Sequence, residues 1–287
     1  MFETALVALD LSPAEGPLTE CLSGLRRWGV KKLVLVHVVR VGYAQGAGYG
    51  HEPDLSAWLE RRAAPLRAEG LVVEVQVRAA GSPADEILAT AAEVAADLVV
   101  IGSRGESRIE ALFLGSVARA VIQGACLPVL LLWIEPTAEA TAETCEAVCA
   151  DPLRHVLFAT DFSTRAGSAE AATAGLAAVA GQTTILHVTT PTTAATMPYW
   201  PVMAAAALET IAARVGAEGG SVETRTAAGE PAPAIACLAT TLDASLIVVG
   251  KHGEGWLESL LIGSTAAAIC EQARRPVLVV PLARAAG

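Results

Sequence analysis

The residues best spaced to do chemistry are glycines. Gly102 and Gly105 are separated by two residues, and Gly115-Ser116 follows after nine more. Gly250, Gly253 and Gly263-Ser264 repeat that spacing in the second half of the chain. Glycine lets a backbone turn tightly and approach a ligand with no Cβ in the way. Helical segments are predicted directly after each pair, over residues 117–123 and 265–271, so Ser116 and Ser264 are placed to cap them. A helix N-terminus offers free N–H groups and a positive dipole end to an anion, so the chemistry this arrangement predicts is phosphate binding. The plainer reading is a strand-to-helix turn with an ordinary serine cap. Identical spacing in two otherwise diverged stretches favours an anion site inherited by both.

Asp10 and Asp161 stand at the end of the first apolar run of each half. A carboxylate there faces the same crevice and can accept hydrogen bonds from ribose hydroxyls, as acidic groups do in other nucleotide folds. The competing role is turn chemistry, for which aspartate is equally suited. His37 and His187 lie inside apolar runs with no nucleophile or carboxylate partner evident, so they read as packed, hydrogen-bonded residues rather than catalytic ones. The five histidines form no His-x-x-x-His pair. No Gly-x-x-x-x-Gly-Lys-Ser/Thr loop is present, and the Gly46–Gly50 stretch lacks the third glycine of a dinucleotide fingerprint.

The elements that must position these residues can be read from the pattern. The chain repeats itself. Residues 5–12 match residues 156–163, from Ala5 opposite Val156 to Ser12 opposite Ser163, an offset of 151. Leu35-Val36-His37-Val38 matches Ile185-Leu186-His187-Val188, Gly81-Ser82-Pro83-Ala84 matches Gly229-Glu230-Pro231-Ala232, and Pro128-Val129-Leu130-Leu131 matches Pro276-Val277-Leu278-Val279. Two copies of one domain account for nearly the whole chain. Residues 1–135 form the first and 152–287 the second. Residues 136–151, rich in Thr, Ala and Glu, read as a linker with room for a helical turn.

Within the first copy, residues 5–9, 33–39, 72–77, 98–101 and 129–133 are short, β-branched and apolar, as strands buried on both faces of a parallel sheet are. Ser12-Pro13-Ala14-Glu15 reads as a capping box with proline at the first helical position, and Leu18, Cys21, Leu22, Leu25 and Trp28 then recur at helical spacing. Ser82-Pro83-Ala84-Asp85 opens another helix in the same way. Strands alternating with helices predict an α/β doubly wound domain of five parallel strands in each half.

Composition bounds the function. The chain has 287 residues and a formal net charge of −10. An acidic balance argues against a protein that coats nucleic acid. No apolar run reaches the roughly 20 residues of a membrane-spanning helix, so no membrane insertion is expected. No secretory signal is read at the start, and a cytoplasmic location is expected. Cys21, Cys126, Cys145, Cys149, Cys237 and Cys270 lack zinc spacing and read as reduced thiols. Cys145 and Cys149 would share a face if helical, but chance linker cysteines are the simpler account of them. Residues 189–203, with Pro191, Pro198, Tyr199, Trp200 and Pro201, read as a loop over the second domain, with a lid or partner surface as the alternative.

The order of elements, the aspartate after strand one, the His-Val near the end of strand two, the Gly-x-Pro before a helix and the full glycine motif together resemble the universal stress protein family over both halves. That resemblance implies strand order 3-2-1-4-5, pairing through the last strand, and hence two halves joined as an intramolecular pseudo-dimer that can pair again as a homo-oligomer of tandem chains. It implies ATP or AMP as ligand, with Mg²⁺ admissible beside it. Asp10 and Asp161 would contact the ribose, and the backbone of Val38 and Val188 would meet the adenine. Gly102, Gly105, Gly115 and Ser116, and in the second half Gly250, Gly253, Gly263 and Ser264, would hold ribose and phosphates. A regulatory nucleotide-binding protein is the reading favoured. A slow ATPase or phosphotransferase ranks below it, because no base for activating water is evident. A nucleotide-independent scaffold is the third reading. The first loop carries Arg104, Glu106, Arg108 and Glu110, the second Lys251, His252, Glu254 and Glu258, so the second site is expected to be the weaker.

Overall fold

The computed structural model describes residues 1–12, 15–41, 52–103, 114–136, 145–147, 151–253 and 262–282. The chain divides into two compact units, Met1–Val148 and Cys149–Gly287.

In the first unit, strands β1 (Thr4–Ala8), β2 (Lys32–Arg40), β3 (Val72–Ala80), β4 (Leu98–Gly102) and β5 (Val129–Leu132) pair in parallel. Their spatial order is β3-β2-β1-β4-β5. The reason is in the runs themselves: Ala5, Leu6, Val7, Leu33, Leu35, Leu98, Val99 and Val100 are fully buried, which only a strand covered on both faces requires. Helices α1 (Glu15–Glu20), α2 (Glu52–Ala68), α3 (Pro83–Glu93) and α4 (Ser116–Gly124) fill the crossovers. Leu18, Leu22, Leu25 and Trp28 are buried as the spacing predicts, but the helical stretch is broken at Cys21 and continues as a 3₁₀ turn over Leu22–Trp28.

The second unit repeats the plan. Strands β8 (His155–Ala159), β9 (Gln182–Thr189), β10 (Val222–Ala228), β11 (Leu246–Gly250) and β12 (Val277–Val280) take the order β10-β9-β8-β11-β12, all parallel. Both units therefore have the order 3-2-1-4-5. Helices α5 (Gly167–Ala177), α8 (Pro231–Thr241) and α9 (Ser264–Gln272) lie between strands. The proline-rich stretch after β9 is not an irregular loop. Thr190 caps α6 (Pro191–Thr196), its hydroxyl accepting from the Thr193 N–H at 3.2 Å, and α7 (Trp200–Val215) begins at the tryptophan. Pro191 and Pro201 sit in the first turns of these helices, where a missing N–H costs nothing.

Towards the end of the first unit the described residues form two short antiparallel strands, β6 (Ile134–Pro136) and β7 (Cys145–Ala147), while residues 137–144 and 148–150 of the stretch read as a linker lie outside the described residues. One reading of the cysteines changes. Cys126, Cys237 and Cys270 are free thiols, but Cys21 takes part in a disulfide and so departs from the reduced set expected. Cys149 lies outside the described residues. No helix among the described residues is long and apolar enough to cross a membrane.

Candidate functional site

Because all strands of a unit run the same way, their carboxyl ends share one edge, where ligands of open α/β sheets bind. In the first unit that edge carries Asp10 after β1, Val38 near the end of β2, Gly102 at the end of β4, and Gly115-Ser116 at the start of α4. Gly105, Arg104, Glu106, Arg108 and Glu110 lie outside the described residues, as does the Gly46–Gly50 stretch. In the second unit the same edge carries Asp161, Val188, Gly250, Gly253, Gly263 and Ser264, all described; Glu254 and Glu258 are not.

The two aspartates are seated identically. Asp10 Oδ1 accepts from the Ser12 N–H at 3.2 Å and its hydroxyl at 2.5 Å; Asp161 Oδ1 accepts from the Ser163 N–H at 3.0 Å and its hydroxyl at 2.6 Å. Turn chemistry is thus present at both, and it holds one carboxylate oxygen while fixing the direction of the other. Asp-x-Ser stands in both copies of the repeat, and that recurrence is the signal from which the serines' part could have been read. The capping box expected at Ser12 is replaced by this arrangement. Ser12 turns its hydroxyl to Asp10, and Glu15 turns to α2, accepting from Arg62 Nε at 2.9 Å and Trp58 Nε1 at 3.3 Å.

The histidines bind the same strand end. His37 Nδ1 lies 2.9 Å from the Leu9 carbonyl oxygen and His187 Nδ1 lies 3.0 Å from that of Thr160, the residues just before Asp10 and Asp161. Both histidines are buried. Burial pushes the His187 pKa below its ordinary value, against the Thr160 carbonyl and the Asp161 charge, which pull the other way. Its surroundings differ from those of His37. Trp200 Nε1 donates to His187 Nε2 at 3.1 Å, and Phe162 stacks on the imidazole at a centroid distance of 4.3 Å. His37 instead meets Trp58 edge-on at 5.5 Å.

The glycine loops do not cap their helices through serine. Gly115 and Gly263 take the N-cap positions of α4 and α9, Ser116 and Ser264 are the first helical residues, and among the described residues no side chain caps either helix. The expected serine caps are therefore corrected. The physical consequence favours an anion: the first N–H groups of a helix have no intrahelical acceptor, and among the described residues no side chain caps these two. Ser116 and Ser264 are exposed beside them.

The glycines are required by close approach, not by unusual dihedrals. Gly115 has φ −55° and Gly263 φ −62°, values any residue adopts. The Gly263 N–H donates to the Lys251 carbonyl at 2.8 Å, as Gly115 N–H does to that of Ser103 at 2.9 Å. A Cβ on Gly263 would stand 3.3 Å from the Lys251 carbonyl oxygen, and one on Gly250 would stand 3.3 Å from that of His252. Lys251 of the second loop is buried at 3% exposure, in the position that the buried Ser103 takes in the first unit.

Comparison with known proteins bears on the family and on the fold. A family model described as the universal stress protein family matches residues 1–132 and again residues 152–281. A universal stress protein encoded in the QAH/OAS sulfhydrylase 3′ region of Thermus aquaticus is 33% identical over 140 residues, which span 99% of that protein and 46% of this chain. Universal stress protein YxiE of Bacillus subtilis is 30% identical over 149 residues, again 99% of its length. A crystal structure of a universal stress protein from Archaeoglobus fulgidus superposes with a TM-score of 0.71, covering 97% of this chain and 98% of that one at 24% identity, which bears on the fold alone.

Proposed function

The chain is a tandem member of the universal stress protein family, and from that membership and the geometry of its crevices we propose that it binds an adenine nucleotide, ATP or AMP, in a regulatory, stress-related role. The observation that carries the reading is the glycine-headed helix N-terminus, free of side-chain caps, beside a doubly seated aspartate. The N–H groups of α4 and the Ser116 hydroxyl supply donors for phosphate oxygens. The outward carboxylate oxygen of Asp10 supplies an acceptor for a ribose hydroxyl, and backbone near Val38 supplies polar groups for a base edge. The donor set therefore fits a nucleotide.

Ligand binding regulates by favouring one conformation over another, which needs only differential affinity. Hydrolysis would need more: a group to orient water and carboxylates for Mg²⁺. The sequence offers no evident base for activating water, and a binding protein is the reading proposed.

The test is direct. Purified chain is denatured and released nucleotide identified by mass spectrometry, then the stripped protein is titrated with ATP, ADP and AMP by calorimetry. Binding between micromolar and millimolar concentration, without turnover over hours, is expected. Gly115→Val, which adds a branched side chain at the N-cap of α4, should weaken affinity at least tenfold, about 1.4 kcal/mol. No binding by any of the three nucleotides would remove the proposal.

A further inference from the structure

Three side chains at the amino-terminal edge of the second sheet form a hydrogen-bonded chain that the crevice does not use. His155 opens β8, Thr184 lies in β9 and Glu223 in β10. Thr184 stands opposite Glu223 in the β9–β10 register. His155 stands opposite Gln182, two residues before Thr184 and so on the same face. The imidazole Nδ1 lies 3.0 Å from the Leu242 carbonyl oxygen at the end of α8, and Nε2 lies 2.8 Å from Thr184 Oγ1. Thr184 Oγ1 in turn lies 3.0 Å from Glu223 Oε1. His155 is 5% exposed and Thr184 is fully buried, so neither has bulk water as an alternative partner.

Counting hydrogens decides what the chain must hold. A carbonyl oxygen only accepts, so Nδ1 carries a hydrogen. The Thr184 hydroxyl has one hydrogen and faces two groups that would each accept it, a ring nitrogen and a carboxylate. With a neutral ring and an ionised Glu223, one of those two contacts has no hydrogen in it, and two acceptors face each other out of water. One further proton satisfies both contacts. Placed on Nε2, it lets the ring donate to Thr184 and Thr184 donate to Glu223. The surroundings favour that place. Leu242 ends α8, where the helix carbonyls present the negative end of the dipole to a cation. Arg225 Nη2, 3.6 Å from Glu223 Oε2, sets a positive charge beside the carboxylate. The other charges near the ring are engaged with one another: Arg154 and Arg275 both pair with Asp243, at 2.8 and 3.3 Å. The first unit lacks the chain. Thr4 and Val34 match His155 and Thr184 in the repeat, and Glu74 stands opposite Val34. Valine has no group to join such a chain, and Glu74 pairs with Lys32 at 2.8 Å instead.

We propose that His155, Thr184 and Glu223 form a proton-binding site that stitches β8, β9 and β10 together and makes the second unit sensitive to pH. The ligand is a proton, one more than a neutral imidazole and a carboxylate hold. The folded chain keeps this proton where the unfolded chain, with its ring in water, gives it up. The contribution to stability is therefore full at low pH and is lost as pH rises, the opposite sign to a histidine buried neutral.

Nitrogen NMR tests it directly. In chain labelled with nitrogen-15 histidine at pH 7.5, the His155 signals, identified by their loss in His155→Asn, should show hydrogen on both ring nitrogens. Glu223→Gln supplies the missing hydrogen covalently: its amide donates to Thr184, whose own hydrogen then serves Nε2. The ring should become neutral, with its hydrogen on Nδ1. Thr184→Val, the first unit's residue, breaks the chain and should also leave a neutral ring. Urea melts between pH 7 and 9, above the window in which His187 takes up its proton, read the linkage. The wild-type folded-to-unfolded ratio should fall by up to about tenfold per pH unit, and Glu223→Gln should lose that dependence. A neutral His155 in wild type at pH 7.5, a doubly protonated ring in folded Glu223→Gln, or equal pH slopes for the two proteins would overturn the inference. The wild-type spectrum decides the matter whether or not the variants fold.

Discussion

Asp161 Oδ2 occupies the space that a Cβ on Gly253 would need: the two would stand 2.5 Å apart. The glycine two residues past Lys251 is therefore required by an aspartate more than ninety positions earlier in the chain. Its role is to let the loop after β11 close over the end of β8 without displacing the carboxylate.

That relationship predicts an outcome for Gly253→Ala. The carboxylate cannot simply rotate away, because Oδ1 is bonded twice to Ser163. Displacing it breaks those bonds, and hydrogen bonds to a charged group are worth about 1.5–3 kcal/mol when well formed. Asp161 is exposed, so a loss below that range, about 1 kcal/mol, is expected from urea denaturation. The same substitution in an Asp161→Ala background should cost much less, and the difference is the coupling a double-mutant cycle measures. Equal costs in both backgrounds would show that the clash is not what the glycine avoids.

His187 makes stability depend on pH. Its folded pKa lies below the ordinary value of 6.5 because burial disfavours the charged ring. The unfolded chain therefore takes up a proton first as pH falls. Stability is complete above about 6.5, declines as pH drops through the window between that value and the folded pKa, and then levels off. Protonation also removes the lone pair that accepts from Trp200. Comparing urea melts at pH 8 and pH 5.5, wild type should lose more stability than His187→Asn. Parallel losses would place the pH dependence elsewhere.

The thiols should separate by reactivity. Cys126 and Cys237 are exposed and free, so iodoacetamide should label both in the native chain. Cys270 is buried in α9 and should react only after denaturation, and Cys21 only after reduction as well. Peptide mapping after each treatment reads all four. Labelling of Cys21 in unreduced, denatured protein would contradict its disulfide.

Much of this architecture was legible because it depends on local pattern. Runs such as Leu98-Val99-Val100-Ile101 announce a strand buried on both faces, and Ser82-Pro83 announces the start of α3, where Ser82 does accept from the Asp85 N–H at 3.4 Å. Helix α2 was not announced. It includes Pro65, a residue that removes a helical hydrogen bond, and its stability comes from packing Leu59, Ala63 and Leu66 into the core. The glycine frame was legible too, through its repetition, but its cause was not. Gly115 and Gly263 have negative φ, and a Cβ on Gly263 would stand 3.3 Å from the Lys251 carbonyl oxygen.

The sequence alone determined that the chain is a doubled α/β domain and that each copy keeps an aspartate, a histidine and a spaced set of glycines, because strand burial and internal repetition are written in neighbouring residues. It could not say that Phe162 lies on His187 with Trp200 behind it, nor that His37 meets Trp58 instead. Those relations join residues 13 to 38 positions apart across a crossover and depend on one backbone turn. Only the folded chain, which brings the ends of β8 and β9 and the start of α7 to one place, decides that the two matching histidines meet different aromatic neighbours.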